Sequence, residues 1–201
     1  SLHSMALIMQ SISVLTINRE PENERDLVNI VEKARRYFPT ETWDDIMYLG
    51  KLGLEHDFKI ATSGESVGAL LLERLIKKIE KIRDSDRRMN LLLGITPDPV
   101  VAVYCFFDGK NFKKMLYLVH DYLNEKVGVV SFFRLDEETS KKVVAHGLGH
   151  NRGLRHHVEP IDLMYPELSR FPILQVEGFC RVCLHTLKKA QAHTTESFEV
   201  T

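Results

Sequence analysis

The sequence predicts an α/β domain built on a mixed, twisted β-sheet that is flanked by helices and has one antiparallel strand at its edge. In the first half of the chain, apolar runs alternate with amphipathic helical patterns in the order β-α-β-α-β. Further strand-like runs follow, and only helices and loops are expected after Leu135. The 201 residues suit a single domain spanning 1–201, in which we expect 1–4 to be a vector remnant and about 190–201 a flexible tail.

The first three predicted elements form the β-α-β start of this framework. Residues 6–17 are apolar and rich in β-branched side chains, which predicts a buried strand. Residues 27–38 repeat apolar side chains at intervals of three and four, which predicts an amphipathic helix against the sheet. Residues 57–61 predict the second strand.

A second helix is expected next, and a group of strands after it. Thr62 and Glu65 have the spacing of a capping box, and an apolar face at helical spacing then continues to Ile82. Turn residues separate the strand-like runs that follow, and we place the antiparallel edge strand in the third of them. Cys105 lies inside the second run and is expected in the core. These runs are 89–95, 100–107, 115–122 and 127–135.

Composition argues against several classes of partner. A formal net charge of -1 removes the electrostatic case for binding nucleic acid or an anionic membrane. No apolar run approaches the ~20 residues that a membrane-spanning helix requires. Three cysteines are too few for a disulfide framework, and a Cys-x-x-Cys spacing suits metal or redox chemistry in a reducing compartment, so we expect a cytoplasmic protein.

The most informative segment is His146-Gly-Leu-Gly-His150-Asn-Arg-Gly153-Leu-Arg-His156. On a helix spanning about 136–151, His146 and His150 project from one face one turn apart and can share a metal ion. Gly153 can end the helix in a left-handed conformation and turn the chain back, so that His156 meets the same ion. Three neutral histidines leave a fourth zinc position open to water, as in catalytic zinc sites.

This segment is similar to the metzincin signature, which also includes a later methionine turn, and Met164 is suitably placed for that turn. Residues 93–96, 127–135 and 179–183 further resemble the archaemetzincin family in chain order. The resemblance implies a compact zincin-like fold and peptide-bond hydrolysis by a water held on the three-histidine zinc. It also implies a peptide or protein substrate bound as an added strand in a cleft below the edge strand at 115–122.

One departure from the family concerns the general base. The family has glutamate directly after the first histidine, whereas this chain has Gly147, which carries no side chain. Losing a general base typically costs 10²–10⁴ in rate, so hydrolysis is expected to be weak or absent, with water or a group such as Glu159 as a substitute base. The alternatives are a zinc-stabilised pseudopeptidase that binds peptides or a protein partner without cleaving them, and a binding module whose metal sites have decayed.

The other departure concerns a second, structural zinc, which the family holds with four cysteines. At the corresponding positions this chain has His157, Asp162, Cys180 and Cys183, all of them residue types that ligate zinc. Buried thiols or a redox pair are the other interpretations of the two cysteines. Tyr165 either approaches the metal or packs in a loop, and the sequence does not predict the oligomeric state.

Overall fold

The computed structural model describes residues 10–19, 24–86, 88–169 and 176–195, without the side chains of 24–26 and 191–195. Residues 1–4, the beginning of the predicted first strand at 6–9 and the end of the predicted tail at 196–201 lie outside this range. In chain order the elements are β1 (Gln10–Ile17), α1 (Glu24–Arg35), β2 (Trp43–Leu52), β3 (Phe58–Thr62), β4 (Glu65–Leu71), α2 (Leu72–Ser85), β5 (Leu91–Thr96), β6 (Val100–Phe107), β7 (Phe112–Val119), β8 (Asp121–Leu123), β9 (Val127–Ser131), α3 (Glu137–Asn151) and α4 (Arg181–Thr195).

The main sheet has five strands in the order β2-β1-β5-β9-β8. The first four are parallel, and β8 pairs with β9 in the antiparallel direction at the sheet edge. β5 and β9 are buried along their whole length, as expected of central parallel strands covered on both faces. The predicted mixed sheet with an antiparallel edge strand is therefore confirmed.

The predicted position of that edge strand is wrong in part. Residues 115–122 do not form one strand, because they are divided between β7 and β8 at His120. β7 belongs to a second sheet, of order β3-β4-β6-β7, and only β8 extends the main sheet. The predicted strand at 127–135 is also shorter than expected, since β9 ends at Ser131.

The predicted capping box is wrong because a hairpin turn takes its place. Ser63 and Gly64 have φ angles of 50° and 83°, a left-handed pair typical of two-residue hairpin turns. Thr62 pairs with Glu65 across this turn, so residues 65–71 form β4, and α2 begins at Leu72. Local capping chemistry was outweighed by strand pairing, since β4 pairs with β3 on one side and with β6 on the other.

The predicted β-α-β-α-β order also changes. No element was predicted for 43–52, which forms β2 and pairs in parallel with β1. After Trp43, β2 continues with two aspartates and then alternates between exposed and partly buried residues, so its sequence lacks the long apolar run of a buried strand. β3, predicted as the second strand of the main sheet, belongs to the second sheet instead.

Two apolar cores lie on the two faces of the main sheet. The larger contains side chains of α1, α3 and the segment after α3, and the smaller contains Leu75 and Ile79 of α2. Cys105, predicted to be in the core, is exposed, because β6 leaves the body of the protein in a hairpin with β7. Residues 190–195 of the predicted tail are helical, being the end of α4. No helix among the described residues has the length and apolarity required to cross a bilayer.

Candidate metal centres

Helix α3 presents the first two predicted ligands, and both of its ends are explained by the local sequence. At the start, the Asp136 carboxylate accepts a 2.7 Å hydrogen bond from the Thr139 backbone N–H. At the end, Gly153 has a φ angle of 82°, and the Leu154 N–H bonds the Gly149 carbonyl at 2.9 Å. This is the Schellman arrangement, and it reverses the chain as predicted.

The reversal brings His156 to the other two histidines. The Nε2 atom of His150 lies 3.0 Å from the Nε2 atoms of both His146 and His156. The three ligand atoms all lie within 4.8 Å of one another. We call this group the open cluster, because the exposure of its members rises from buried His146 to exposed His156.

Hydrogen bonds at the other ring nitrogens orient two of these rings. His146 Nδ1 lies 2.7 Å from the Leu163 carbonyl oxygen, and His150 Nδ1 lies 3.1 Å from the Leu154 carbonyl oxygen. Since a carbonyl can only accept, each Nδ1 carries the proton and donates, and each Nε2 keeps a lone pair that faces the centre of the cluster. The ring orientations are therefore those required to bind a cation.

The protonation state of the cluster agrees with this role. Burial is the main cause that lowers the pKa of His146, His150 and His156, and neighbouring histidines lower those of His150 and His156 further. The three imidazoles are thus neutral at neutral pH, as metal ligands must be. Neutral lone pairs that face one another at 3.0 Å repel unless a cation lies between them, so this donor set fits zinc.

Gly147 provides the space into which the edge strand packs. A Cβ atom built on Gly147 would lie 2.4 Å from Leu123 Cδ1 and 3.4 Å from Asp121 Oδ2. Any side chain at position 147 therefore requires Leu123 to move. The glycine allows β8 to approach α3 closely.

Asp121 was not predicted from the sequence, and it is the carboxylate closest to the open cluster among the described contacts. Its Oδ2 atom lies 4.0 Å from His146 Nε2, and its side chain is 20% exposed. Burial raises the pKa of Asp121 to about 6, and nearby histidines, His150 first, oppose that increase. Glu159, the base considered from the sequence, lies instead 3.7 Å from His157 Nδ1.

The other predicted ligand set also assembles, and we call it the closed cluster. Cys183 Sγ lies 3.4 Å from His157 Nε2 and 3.8 Å from Asp162 Oδ2, and Cys180 Sγ lies 3.6 Å from His157 Nδ1. The four ligand atoms lie within 4.8 Å of one another, and the side chain of Asp162 is fully buried. Cys180 and Cys183 are free thiols.

The charges of the closed cluster favour a bound cation. Burial, and then the negative charge of Asp162, raise the pKa of the Cys183 thiol far above its ordinary value. A buried carboxylate beside two thiols that must ionise to ligate would be stabilised by a divalent ion. The donor set therefore fits zinc, although it includes one carboxylate oxygen and one imidazole in place of thiolates.

Comparison with known proteins shows to which fold this arrangement belongs. No protein-family model and no curated protein sequence matches the chain. Solved structures do match, and the archaemetzincin from Methanopyrus kandleri is similar over 92% of this chain and 96% of its own, with a TM-score of 0.60 and 19% identity. The chain has the archaemetzincin fold.

Two further structures with this fold show the same extent of similarity. The match to a zinc-dependent peptidase from Methanocorpusculum labreanum covers 88% of this chain and 99% of the peptidase chain, with a TM-score of 0.59 and 17% identity. The archaemetzincin from Archaeoglobus fulgidus, solved with malonate, has the same coverage, a TM-score of 0.55 and 16% identity. The predicted zincin-like fold is therefore confirmed over nearly the whole chain.

In this archaemetzincin-like framework, one turn connects the two clusters. Asp162 of the closed cluster accepts a 2.8 Å hydrogen bond from the Met164 N–H through Oδ1. The residue between them, Leu163, accepts from His146 of the open cluster. The buried Met164 side chain lies below α3, with Sδ 2.6 Å from the position of a Cβ on Gly149. Met164 therefore packs against the helix that carries His146 and His150.

The open cluster forms part of the floor of a cleft beside β8. His120, Asp121, Tyr122 and Leu123 line this cleft, together with the end of β7 and residues after the methionine turn. Tyr165 is half-buried and is not among the lining residues. The cleft therefore has a strand edge and a three-histidine cluster on the same opening.

Proposed function

We propose that the chain is a zinc-binding metallopeptidase of the archaemetzincin type that hydrolyses peptide bonds slowly. The observation that carries this proposal is the convergence of three Nε2 lone pairs in an open cleft. His146, His150 and His156 would hold the ion. Bound there, zinc would act as a Lewis acid that polarises a substrate carbonyl and lowers the pKa of water.

Two of the histidines are also held in a fixed orientation before any ion binds. His146 and His150 are each held by a backbone carbonyl, so their rings need not reorganise when an ion binds. Exposed His156 completes the set at the cleft entrance. Because the protein supplies only three ligands, a bound zinc would keep a fourth position for a carbonyl oxygen or water.

The substrate class we propose is an extended peptide or protein segment. Such a segment would add to the β8 edge of the main sheet and lie across the open cluster. Strand addition uses backbone hydrogen bonds, so it selects for extended, unstructured chain rather than for a particular sequence.

We propose a second, structural zinc at the closed cluster. His157, Asp162, Cys180 and Cys183 supply four protein ligands, so no position remains for substrate, as in structural zinc sites. Free thiols in this set are consistent with a reducing compartment, and we propose a cytoplasmic location on that basis.

The second candidate function is a pseudopeptidase that binds peptides in the same cleft without cutting them. Gly147 favours it, because the helix offers no carboxylate at the position where the family has its base. The two functions share the metal and the cleft and differ only in proton transfer.

Metal analysis together with peptide cleavage tests the proposal. Zinc-loaded wild type should contain zinc and cleave a broad mixture of unstructured peptides, whereas His150→Ala should lose zinc from the open cluster and all cleavage. A Gly147→Glu variant must also carry Leu123→Ala, since the new side chain would otherwise collide with Leu123. Activity in this double variant with none in wild type would establish the pseudopeptidase, and wild type that binds no zinc would refute both functions.

A further inference from the structure

We infer that Asp121, on the edge strand, is the general base of the open cluster and takes the place of the missing glutamate. This inference rests on the proposed peptidase function. It assigns a catalytic role to a residue outside the histidine motif and explains how a chain with Gly147 can retain hydrolysis.

The first support is the reach of the two side chains. In a glutamate, two carbon–carbon bonds and one carbon–oxygen bond separate Cβ from the carboxylate oxygen, a span of roughly 3–4 Å. Asp121 Oδ2 lies 3.4 Å from the point that a Cβ of residue 147 would occupy. A carboxylate oxygen is therefore at the distance where the glutamate of the family would place its own.

The second support is the relation of this oxygen to the histidines. Asp121 Oδ2 is 4.0 Å from His146 Nε2, beyond a hydrogen bond to that ring. The carboxylate thus lies beside the cluster without bonding to it, where it could take a proton from a water held on the open side.

The third support is that Gly147 allows close packing of the strand that carries Asp121. Leu123 fills the space beside Gly147, and a Cβ on Gly128 of β9 would also lie 2.4 Å from Leu123 Cγ. β8 thus packs against two glycines, one on α3 and one on β9. The glycine that removes the helical carboxylate also lets the strand bring in another one.

The reaction balances with a single carboxylate. The water oxygen attacks the carbonyl carbon of the scissile peptide, and the water gives one proton to the Asp121 carboxylate. The carbon–nitrogen bond then breaks with its electron pair on nitrogen, and that nitrogen receives the proton from Asp121. The products are a carboxylic acid and an amine, and the Asp121 carboxylate is regenerated.

The test compares four zinc-loaded proteins on unstructured peptides: wild type, Asp121→Asn, Asp121→Ala and the matched control Glu125→Gln. Glu125 is an exposed carboxylate in the loop just after β8. We expect kcat/KM to fall about 10²–10⁴-fold in both Asp121 variants and to stay unchanged in Glu125→Gln. Asp121→Asn keeps the shape of the side chain, so it separates chemistry from folding.

Zinc affinity of the open cluster, measured by competition with a chelator, is the readout that does not depend on activity. We expect Asp121→Asn to bind zinc within about tenfold of wild type, because a base contacts water rather than the ion. Loss of zinc in Asp121→Asn would make Asp121 a ligand or a support for one and would overturn the assignment. Cleavage retained in Asp121→Asn would also overturn it while leaving the peptidase function intact.

A rescue variant separates the failure of this inference from that of the proposed function. Asp121→Ala combined with Gly147→Glu and Leu123→Ala should regain cleavage, because the carboxylate then comes from α3. Cleavage by the rescue variant with none by wild type would overturn the role of Asp121 and identify the wild type as the pseudopeptidase. Absence of cleavage from both, with zinc bound, would overturn Asp121 and peptide hydrolysis together.

Discussion

The open and closed clusters use neighbouring stretches of chain and differ in what surrounds them. The open cluster has three histidines whose exposure increases toward a cleft, whereas the closed cluster has four candidate ligands, one of which is the fully buried Asp162. A zinc held by three protein ligands would keep an accessible position for chemistry, and a zinc held by four would be structural. The number of candidate ligands and their burial therefore distinguish the two clusters.

The largest stability effect is expected at the closed cluster. Asp162→Ala should lower the free energy of unfolding of the zinc-loaded protein by about 3–5 kcal/mol, because it removes one buried charged partner of the cluster. His156→Ala, at the exposed end of the open cluster, should change the stability of the zinc-free protein by less than about 0.5 kcal/mol. Urea denaturation measures both.

Asp162→Asn is the control, since an amide oxygen can still accept from the Met164 N–H. It should be less destabilising than Asp162→Ala. Equal stability of Asp162→Ala and wild type in excess zinc would show that the closed cluster does not hold the fold together.

The next effect concerns the packing of the open cluster against the edge strand. Gly147→Ala should cost about 1–3 kcal/mol of stability, because its Cβ would lie 2.4 Å from Leu123 Cδ1. In a Leu123→Ala background the same substitution should stabilise by up to about 1 kcal/mol, since alanine is the better helix former. A double-mutant cycle from denaturation curves gives the coupling, and additive effects would contradict the packing described here.

A smaller effect tests whether the clusters are linked. Asp162→Ala should weaken zinc binding at the open cluster about tenfold, roughly 1.4 kcal/mol, because it loosens the turn whose Leu163 carbonyl orients His146. The zinc affinity of the open cluster is measured by chelator competition in a Cys183→Ala background, with and without Asp162→Ala. The background substitution removes a ligand of the closed cluster, so that the open cluster is measured alone. Unchanged affinity there would mean that the two clusters are independent.

The smallest effect concerns the start of the histidine helix. Asp136→Ala should cost about 1 kcal/mol, because it leaves the Thr139 N–H without its capping acceptor. Hydrogen bonds to Thr139 also lower the pKa of Asp136. The stabilisation from this cap is therefore present above the unfolded-state pKa of Asp136 and is lost as the pH falls through its folded-state pKa. The free energies of unfolding of Asp136→Ala and wild type should thus become equal in acid. A constant difference down to the lowest pH would contradict this.

Prediction from the sequence succeeded where the signal is local. The α3 helix with its Gly153 termination and the alignment of His146 with His150 follow from spacing along a few residues. The closed cluster, which spans 157–183, was predicted from the family resemblance instead. Prediction failed where the structure of a segment depends on the strands with which it pairs. β4 was predicted as helix, and β2 was missed, because an exposed or two-sided strand has no distinctive periodicity of its own.

Asp121 shows most clearly what local patterns omit. Its position in the sequence, between His120 and Tyr122, contains no motif that connects it with His146. The link arises only because β8 joins the sheet next to β9 and packs on Gly147. A residue brought to a site by strand order can be found only after the strand order is known.

The sequence by itself determined the identity and spacing of the seven residues of the two clusters and the absence of a carboxylate at position 147. The tertiary structure decided which cluster is open, which is closed, and which carboxylate lies beside the three histidines. The physical reason is that the spacing within the open cluster depends on the pitch of one helix and the geometry of one turn. Burial, pKa and cleft access depend on which distant strands and loops pack against them.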